Sequence, residues 1–266
     1  MVLPDSSMYR SEIESNRRTF TKVSGKHIQS SHIVKLVWLH QMISGLINVK
    51  LGNITDAKDG FDIAAMSSAY RTGACTELSK IYFNQKDHAK AIEYAEKSLV
   101  TNQNNLEAYQ LLAVIYRLQN NEVKALEVLN KMMAIDPLNH FAGFEKYLWH
   151  LSAATQNDFT SLIRNEMPQE TYLQLADWYW SLGRLKESLD ILSLSPPHPE
   201  VYYWMARLKD QLMDSDADEF IKRANSISPQ LVFPFRSRSK EVLSWVIDKS
   251  PDWKPKYYLG LIYWIS

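Results

Sequence analysis

Three aspartates with alternating spacing are the first residues in the sequence that could do chemistry. Asp214, Asp216 and Asp218 have the spacing that opens a calcium-binding loop. Such a loop also requires glycine at its sixth position and glutamate at its twelfth, and these positions hold Glu219 and Asn225. Acidic residues in this arrangement are typical of a helix amino terminus, where the helix dipole stabilises negative charge. We therefore expect a helix start here and no calcium site.

Other candidate catalytic residues lack the partners that their chemistry requires. Ser237 and Lys240 form a Ser-x-x-Lys pair, the nucleophile pattern of penicillin-recognising enzymes, but the companion motifs of that class are missing. The seven histidines are scattered, and the single cysteine, Cys75, is expected to be a buried, inert thiol. The sequence has neither a glycine-rich phosphate loop nor a Gly-x-Ser-x-Gly elbow. We therefore predict a non-catalytic chain that needs neither a cofactor nor a metal.

The charge balance restricts the classes of partner. The chain has 266 residues, and 30 lysines and arginines offset 30 aspartates and glutamates, giving a net charge of zero. Nucleic acids and anionic membranes attract proteins with a basic excess, so neither is expected as a partner. Charged and polar residues interrupt the most apolar stretch, 33–51, which predicts a buried helix. Residues 1–30 have no apolar core, and we expect a polar leader, partly disordered or extended, on a cytoplasmic protein.

An internal repeat indicates which elements position the remaining side chains. Three consecutive segments match at a constant offset equal to the length of a tetratricopeptide repeat, which is a pair of antiparallel helices. Small residues at two positions of each segment allow the paired helices to approach closely, and large residues fill the space beside that contact. The first small position holds Gly45, Ser79 and Ala113; the second holds Ala57, Ala91 and Ala125; the large position holds Tyr82 and Tyr116.

These patterns predict an all-α fold, a right-handed superhelix of about six stacked tetratricopeptide-type hairpins over residues 31–266. The turns are marked by the pairs Gly52-Asn53, Lys86-Asp87 and Asn120-Asn121, of which Asp87 and Asn121 are expected to cap helices. The regular units are 38–71, 72–105 and 106–139. The degenerate units are 140–168, 169–198 and 199–230, and a helical segment with a truncated unit follows at 231–266. In the unit at 140–168 the small residues are expected to be lost.

Several segments resemble a more specific family. Asp136-Pro-Leu-Asn-His-Phe, the stretch 161–172, Leu231-Val-Phe-Pro-Phe-Arg and the stretch 252–264 are similar to the tetratricopeptide region of large bacterial proteins. In that family a β-rich domain of uncertain, carbohydrate-related function precedes the repeats. The resemblance implies that any catalytic centre lies outside this chain, and none of the matching motifs is catalytic.

The first helix of each hairpin lines the concave face in this fold, and the candidate site residues are those whose register points there. Exposed aromatic rings beside arginine are typical of an interface hot spot. A protein or peptide is the expected ligand, a glycan bound through Trp180 and Tyr203 is the alternative, and packing of these rings against the array itself is the competing interpretation. The candidates are Lys80, Phe83, Asn84, Arg117, Asp177, Trp180, Tyr203 and Arg207.

Two further expectations concern known ligands and the carboxyl end. Tetratricopeptide domains that clamp a terminal carboxylate place basic and amide residues at fixed groove positions, and this sequence has Met42, Leu46, Glu77, Glu107 and Leu111 there, which argues against such a clamp. Residues 256–265 repeat the first-helix pattern but carry more large apolar side chains than one neighbouring hairpin can bury. A truncated array that forms a weak homodimer through this helix is therefore expected.

Overall fold

A computed structural model describes residues 31–265, which form fourteen α-helices and separate into two compact units, one ending at Tyr70 and one beginning at Arg71. The predicted leader 1–30 lies outside the described residues. Within the described part of the chain, no helix is long and apolar enough to cross a membrane. The helices are α1 (Ser31–Leu51), α2 (Ile54–Ala64), α3 (Ser68–Asn84), α4 (His88–Thr101), α5 (Leu106–Leu118), α6 (Glu122–Ile135), α7 (His140–Trp149), α8 (Ala153–Leu162), α9 (Pro168–Ser181), α10 (Leu185–Ser193), α11 (Pro199–Gln211), α12 (Ala217–Ser226), α13 (Ser237–Lys249) and α14 (Lys254–Ile265).

The unit that ends at Tyr70 is built on a close crossing of α1 and α2. A Cβ atom placed on Gly45 would lie 2.6 Å from the Phe61 ring, so only glycine fits at this position. Gly60, which the repeat pattern did not single out, is equally constrained, since its Cβ would lie 2.9 Å from the carbonyl oxygen of Gln41. The predicted contact at Gly45 is confirmed, and glycine is required on both helices.

The hairpins α3–α4 and α5–α6 bury the predicted small residues, although α3 begins at Ser68, before the predicted start of its unit at 72. Ser79 is fully buried, and its Oγ donates to the carbonyl oxygen of Ala91 at 2.7 Å. Ala113 and Ala125 are likewise fully buried in the next hairpin. Cys75 is buried in α3, as expected. A serine at this position is therefore small enough for the close contact between the two helices, and its hydroxyl also hydrogen-bonds to the facing helix.

The loops repeat with the same period. Gly52, Lys86 and Asn120 all adopt positive φ, at 77°, 62° and 53°, and each lies one repeat length after the previous one. The capping residues that follow are confirmed: the side chain of Asp87 accepts from the amide of Lys90, and that of Asn121 accepts in the same way at its own helix. A second pair of caps, Asn105 on α5 and Asn139 on α7, is also separated by one repeat length and was not predicted.

The unit at 140–168 keeps a small residue, contrary to the sequence expectation. A Cβ atom on Gly143 of α7 would lie 2.9 Å from Leu162 and 3.3 Å from Phe159, both on α8. The position one repeat after Ala113 holds the large residue Tyr147. The close crossing at Gly143 therefore lies one helical turn earlier than in the regular units. The short helices of this unit, with 10 residues each, accommodate that shift.

The hairpin α9–α10 has the same bond from a serine hydroxyl to an alanine carbonyl as α3–α4, but its serine lies on the second helix. Ser188 of α10 donates its Oγ to the carbonyl oxygen of Ala176 on α9 at 2.9 Å, whereas Ser79 donates from the first helix of its own hairpin. Both bonds join residues 12 positions apart. Since these interactions are equivalent, residues 169–198 form the same kind of hairpin as the regular units.

Candidate functional site

Of the predicted site residues on α3 and α5, Lys80 lies among paired charges on the surface. The Nζ of Lys80 lies 2.8 Å from the carboxylate of Glu77 and 2.5 Å from that of Glu107, which joins α3 to α5. Burial alone lowers the pKa of Lys80, but the two carboxylates outweigh it and raise the pKa. Lys80 keeps 23% of its side chain exposed and Glu107 keeps 40%, so both are accessible to a partner.

Arg117 pairs with carboxylates inside the fold, and only 15% of its side chain is exposed to a ligand. Its guanidinium lies 2.7 Å from Glu145 of α7 and 3.1 Å from Glu187 of α10. The Tyr179 hydroxyl of α9 donates to Glu145 at 2.6 Å, and Arg184 also pairs with Glu187. Glu145 is fully buried, so this group of two cations and two carboxylates neutralises charge inside the fold.

The pKa values of this buried cluster follow from its pairing. Burial lowers the pKa of Arg117, but the charge and hydrogen bonds of Glu145 raise it to a net value above the usual range. Burial raises the pKa of Glu187, but Arg184 and Arg117 hold it below its usual range. Burial and the neighbouring Glu145 raise the pKa of the Tyr179 hydroxyl. The pairing therefore favours the charged forms of Arg117 and Glu187.

The expected exposure of Phe83 is wrong. Its side chain is 5% exposed and stacks on His88 with 5.6 Å between the ring centroids, so the turn after α3 covers it. Asn84 is exposed as predicted, and its Nδ2 donates to the carbonyl oxygen of Ser181 at 3.5 Å. That contact brings the carboxyl-terminal end of α3 next to that of α9.

The predicted site residues on α9 are covered by α13. Trp180 is 9% exposed and packs edge-on against Trp204 of α11, with 5.8 Å between the ring centroids. Arg238 of α13 lies over the Trp180 ring at 4.9 Å and donates to Asp177 at 2.9 Å. The expectation that Trp180 faces an open surface is therefore wrong, because a helix from a later part of the chain lies on it.

The register assigned to α11 is wrong for Tyr203. This residue was expected on the ligand face, but it is fully buried, whereas the adjacent Tyr202 is half-buried. The Tyr203 hydroxyl donates to Asn225 at 2.7 Å, and its ring packs edge-on against Tyr258 of α14. Arg207 is partly exposed, pairs with the neighbouring Asp210 at 2.7 Å and lies over the Trp245 ring of α13.

A buried polar group fixes α13 on α11. The Oγ of Ser239 donates to Glu200, and the Trp204 indole donates to the same Oγ at 3.1 Å. Glu200 is 2% exposed, and burial raises its pKa to about 7, although the Ser239 bond and Arg236 act in the opposite direction. Arg236 pairs with Glu170 of α9, so α9 and α11 are both bonded to α13 or to the residue preceding it.

Sequence reasoning did not find the buried charges, because the repeat register does not mark them. Glu145 lies at the position that Leu111 holds one repeat earlier, but Glu77 holds the same position two repeats earlier and is partly exposed. A glutamate at this position therefore does not by itself indicate burial, and Arg238 and Ser239 lie in a segment without repeat register. Within residues 31–265, no group of three or more His, Cys, Asp or Glu side chains is arranged to hold a metal.

Comparison with known proteins agrees with this architecture. A family model described as the tetratricopeptide repeat matches residues 72–105, which contain most of α3 and all of α4. That segment is a tetratricopeptide repeat, and the described residues form an all-α fold. A comparison with curated proteins finds no match.

The solved structures that match this chain do so at low identity and with low TM-scores. A tetratricopeptide repeat protein from Parabacteroides merdae is 12% identical, with a TM-score of 0.40, over 86% of this chain and 99% of that one. A crystal structure of MamA is 16% identical, with a TM-score of 0.37, over 71% and 90%. A structure named MamA AMB-1 is 17% identical, with a TM-score of 0.36, over 74% and 97%. Likeness at this level assigns no ligand.

Proposed function

We propose that this chain is a non-catalytic scaffold that binds a protein or peptide segment on its first helices. The accessible part of the candidate site is defined by Lys80, Asn84 and Glu107 on α3 and α5, and it is called the α3–α5 surface below. The tetratricopeptide match over 72–105 covers the α3 part of this surface. A ligand on this surface stays a prediction.

The observation that carries the proposal is the position of α13. This helix follows the last predicted hairpin and lies on the first helices α9 and α11, where it buries Ser239, Val242, Leu243 and Val246. Its polar contacts are the pairing of Arg238 with Asp177 and the bond from Ser239 to Glu200. First helices of this array therefore offer a surface that accepts a further helix by combining apolar packing with charged bonds.

The α3–α5 surface offers the same chemistry without such a covering helix among the described residues. Lys80 and Glu107 give it both signs of charge, and the Asn84 amide adds a donor and an acceptor. Mixed charge of this kind suits a polypeptide segment, which carries its own charged groups and main-chain amides. It suits a nucleic acid poorly, because a polyanion would meet Glu77 and Glu107.

A peptide-display screen against the purified chain tests this function. Selected peptides are measured against Asn84→Trp, which adds bulk to the α3–α5 surface, and against Glu93→Trp, which adds the same bulk to an exposed position on the second helix α4. We expect Asn84→Trp to weaken binding by at least about tenfold, which is about 1.4 kcal/mol. Equal binding to the two variants would place the ligand elsewhere.

The alternative function is an interaction module of a larger carbohydrate-active enzyme. Its predicted glycan contacts were Trp180 and Tyr203, which are 9% and 0% exposed, so their positions do not favour stacking on a sugar. A glycan array run on the same two variants separates the alternatives. Glycan binding that is unaffected by Asn84→Trp, together with an unproductive peptide screen, would support the second function.

We also propose weak self-association through α14. The side chains of Tyr257, Tyr263 and Trp264 are 45%, 56% and 85% exposed, whereas Tyr258 and Ile262 are buried against the array. Apart from the adjoining residues and backbone of α14 itself, no described atom lies within 4 Å of a Cβ built on Gly260, so this turn is open to a close approach. Exposed aromatic groups beside an open glycine support helix-to-helix contact between two copies.

A further inference from the structure

A cavity of about 470 Å³ opens between α6, α7 and α8, at the unit whose small residue is displaced. Its volume is in the range of about 300–1,000 Å³ that small ligands and single side chains of partners occupy. The α3–α5 surface contributes none of its residues, so this is a separate site. The cavity is lined by Leu126, Met133, Gly143, Lys146, Trp149, His150, Thr155, Asp158, Phe159 and Leu162.

The walls of the cavity are mainly apolar because α7 and α8 are short and cross at Gly143. Phe159 and Leu162 of α8 both lie close to Gly143, and Phe159 is 1% exposed. Leu126 and Met133 of α6 form the facing wall and are only partly covered. These four side chains give a lining suited to a branched aliphatic or aromatic group.

Lys146 is the one lining cation that has no carboxylate partner among the described residues. Its Nζ lies 2.9 Å from the Sδ of Met133, so the ammonium lies directly on the apolar wall. The other polar lining groups are engaged or solvated. Thr155 donates to the carbonyl oxygen of His150 at 2.5 Å, His150 lies 3.2 Å from Glu122, and Asp158 is exposed to solvent.

Trp149 lines the cavity and has a second unused donor, which lies beneath the cavity surface. Its indole Nε1 is buried and has no hydrogen-bond acceptor among the described residues. An unpaired buried donor costs about 1–3 kcal/mol, and an acceptor that enters beside the ring and lets it turn would remove that cost. The cavity thus combines an apolar lining with two donors that have no oxygen acceptor among the described residues, the Lys146 ammonium, which donates to the Met133 sulfur, and the Trp149 indole.

We propose that this cavity binds the carboxyl-terminal residue of a peptide that ends in a large apolar side chain. The side chain enters between Met133 and Phe159, and the terminal carboxylate pairs with the Lys146 ammonium. The carboxylate and the apolar group belong to one residue because Lys146 lies directly on the apolar wall. Peptide carbonyl oxygens next to the terminal residue supply the acceptor that the Trp149 indole lacks.

The test uses the full chain and two matched probes, the tripeptide acetyl-Gly-Gly-Phe with a free carboxylate and the same tripeptide with a terminal amide. Binding is followed by the indole N–H resonance of Trp149 in ¹⁵N spectra, assigned with Trp149→Phe. We expect the free acid to shift this resonance and to bind at least about tenfold more tightly than the amide, as an added charged bond predicts. Acetyl-Gly-Gly-Gly, which lacks the apolar group, should leave the resonance unchanged.

Two lysine substitutions distinguish binding in the cavity from a general effect of surface charge. Lys146→Met keeps the apolar stem and should abolish the preference for the acid over the amide, whereas Lys186→Met, at an exposed lysine on α10, should preserve it. Equal binding of acid and amide by the unmodified chain would overturn the proposal. An unshifted Trp149 resonance at millimolar peptide would overturn it as well. Neither result bears on the proposed binding at the α3–α5 surface, because that proposal is tested separately with Asn84→Trp.

Discussion

At the scale of single residues, the described core depends on charged groups that are paired within it. Arg117 links Glu145 and Glu187 from two different helices, and Tyr179 completes the bonding of Glu145. A buried ion pair adds little net stability compared with an apolar replacement, but removing one partner leaves a charge without compensation. The cluster is therefore sensitive to single substitutions and tolerant of paired ones.

Arg117→Met should lower the free energy of unfolding by about 3–5 kcal/mol, because Glu145 is fully buried and loses its cation. Urea denaturation measures this change. The double variant with Glu145→Gln should recover part of the loss, since a neutral amide still accepts from Tyr179. Lys131→Met, at an exposed ion pair with Glu127, serves as the control and should leave stability nearly unchanged. A double variant as unstable as Arg117→Met alone would contradict this account.

Glu200 should make stability fall as pH rises. Its folded pKa is about 7 against an ordinary value of 4.5, because burial raises it. Between these values the folded chain keeps the proton that the unfolded chain has lost, so stability decreases through this window. The difference corresponds to about 3 kcal/mol above pH 7.

Thermal denaturation of Glu200→Gln tests this prediction. The variant should melt at a higher temperature than the unmodified chain at pH 8 and at nearly the same temperature at pH 4.5. Burial lowers the pKa of His198 to about 4. The stability that His198 contributes is therefore lost as pH falls below 6.5, which is opposite to the effect of Glu200. Because His198 is present in both proteins, its effect cancels in the comparison. Melting curves that stay parallel from pH 4.5 to 8 would show that Glu200 does not titrate in this way.

At the scale of helices and turns, the repeat depends on a left-handed residue between paired helices. Gly52 occupies this position without strain, but Lys86 and Asn120 adopt the same conformation with a side chain. A left-handed conformation costs an ordinary residue about 1–2 kcal/mol, and asparagine tolerates it better than lysine. The hairpin α3–α4 therefore contains a strained turn.

Lys86→Gly should raise the free energy of unfolding by up to about 1 kcal/mol, since glycine relieves the strain but adds freedom to the unfolded chain. Gln85→Gly is the matched control. Gln85 is not among the residues with positive φ, so the same substitution one position earlier should destabilise the chain. Urea denaturation of both variants measures the two effects. Destabilisation by both to the same extent would show that the turn at Lys86 is not strained.

At the scale of the whole molecule, the proposed self-association depends on the exposed rings of α14, the last described helix. If α14 mediates self-association, Tyr263→Ser together with Trp264→Ser should remove it, because these two side chains are exposed. Sedimentation velocity over a range of protein concentrations measures the association. Replacing the buried Ile262 with valine is the control and should preserve it. A chain that sediments as a monomer at high concentration would contradict the proposal.

The sequence alone determined the features that depend on local or periodic interactions. The constant repeat offset located the hairpins, their turns and the contacts at Gly45 and Ser79, because each depends on residues within one repeat. Only the tertiary structure decided which aromatic side chains are exposed. Trp180 and Tyr203 carry the register of an open face, yet α13 and α14 cover them. Burial is set by whichever segment lies on a surface. Helix α13 lies in a segment without repeat register, and the first-helix pattern of α14 does not show which rings it covers.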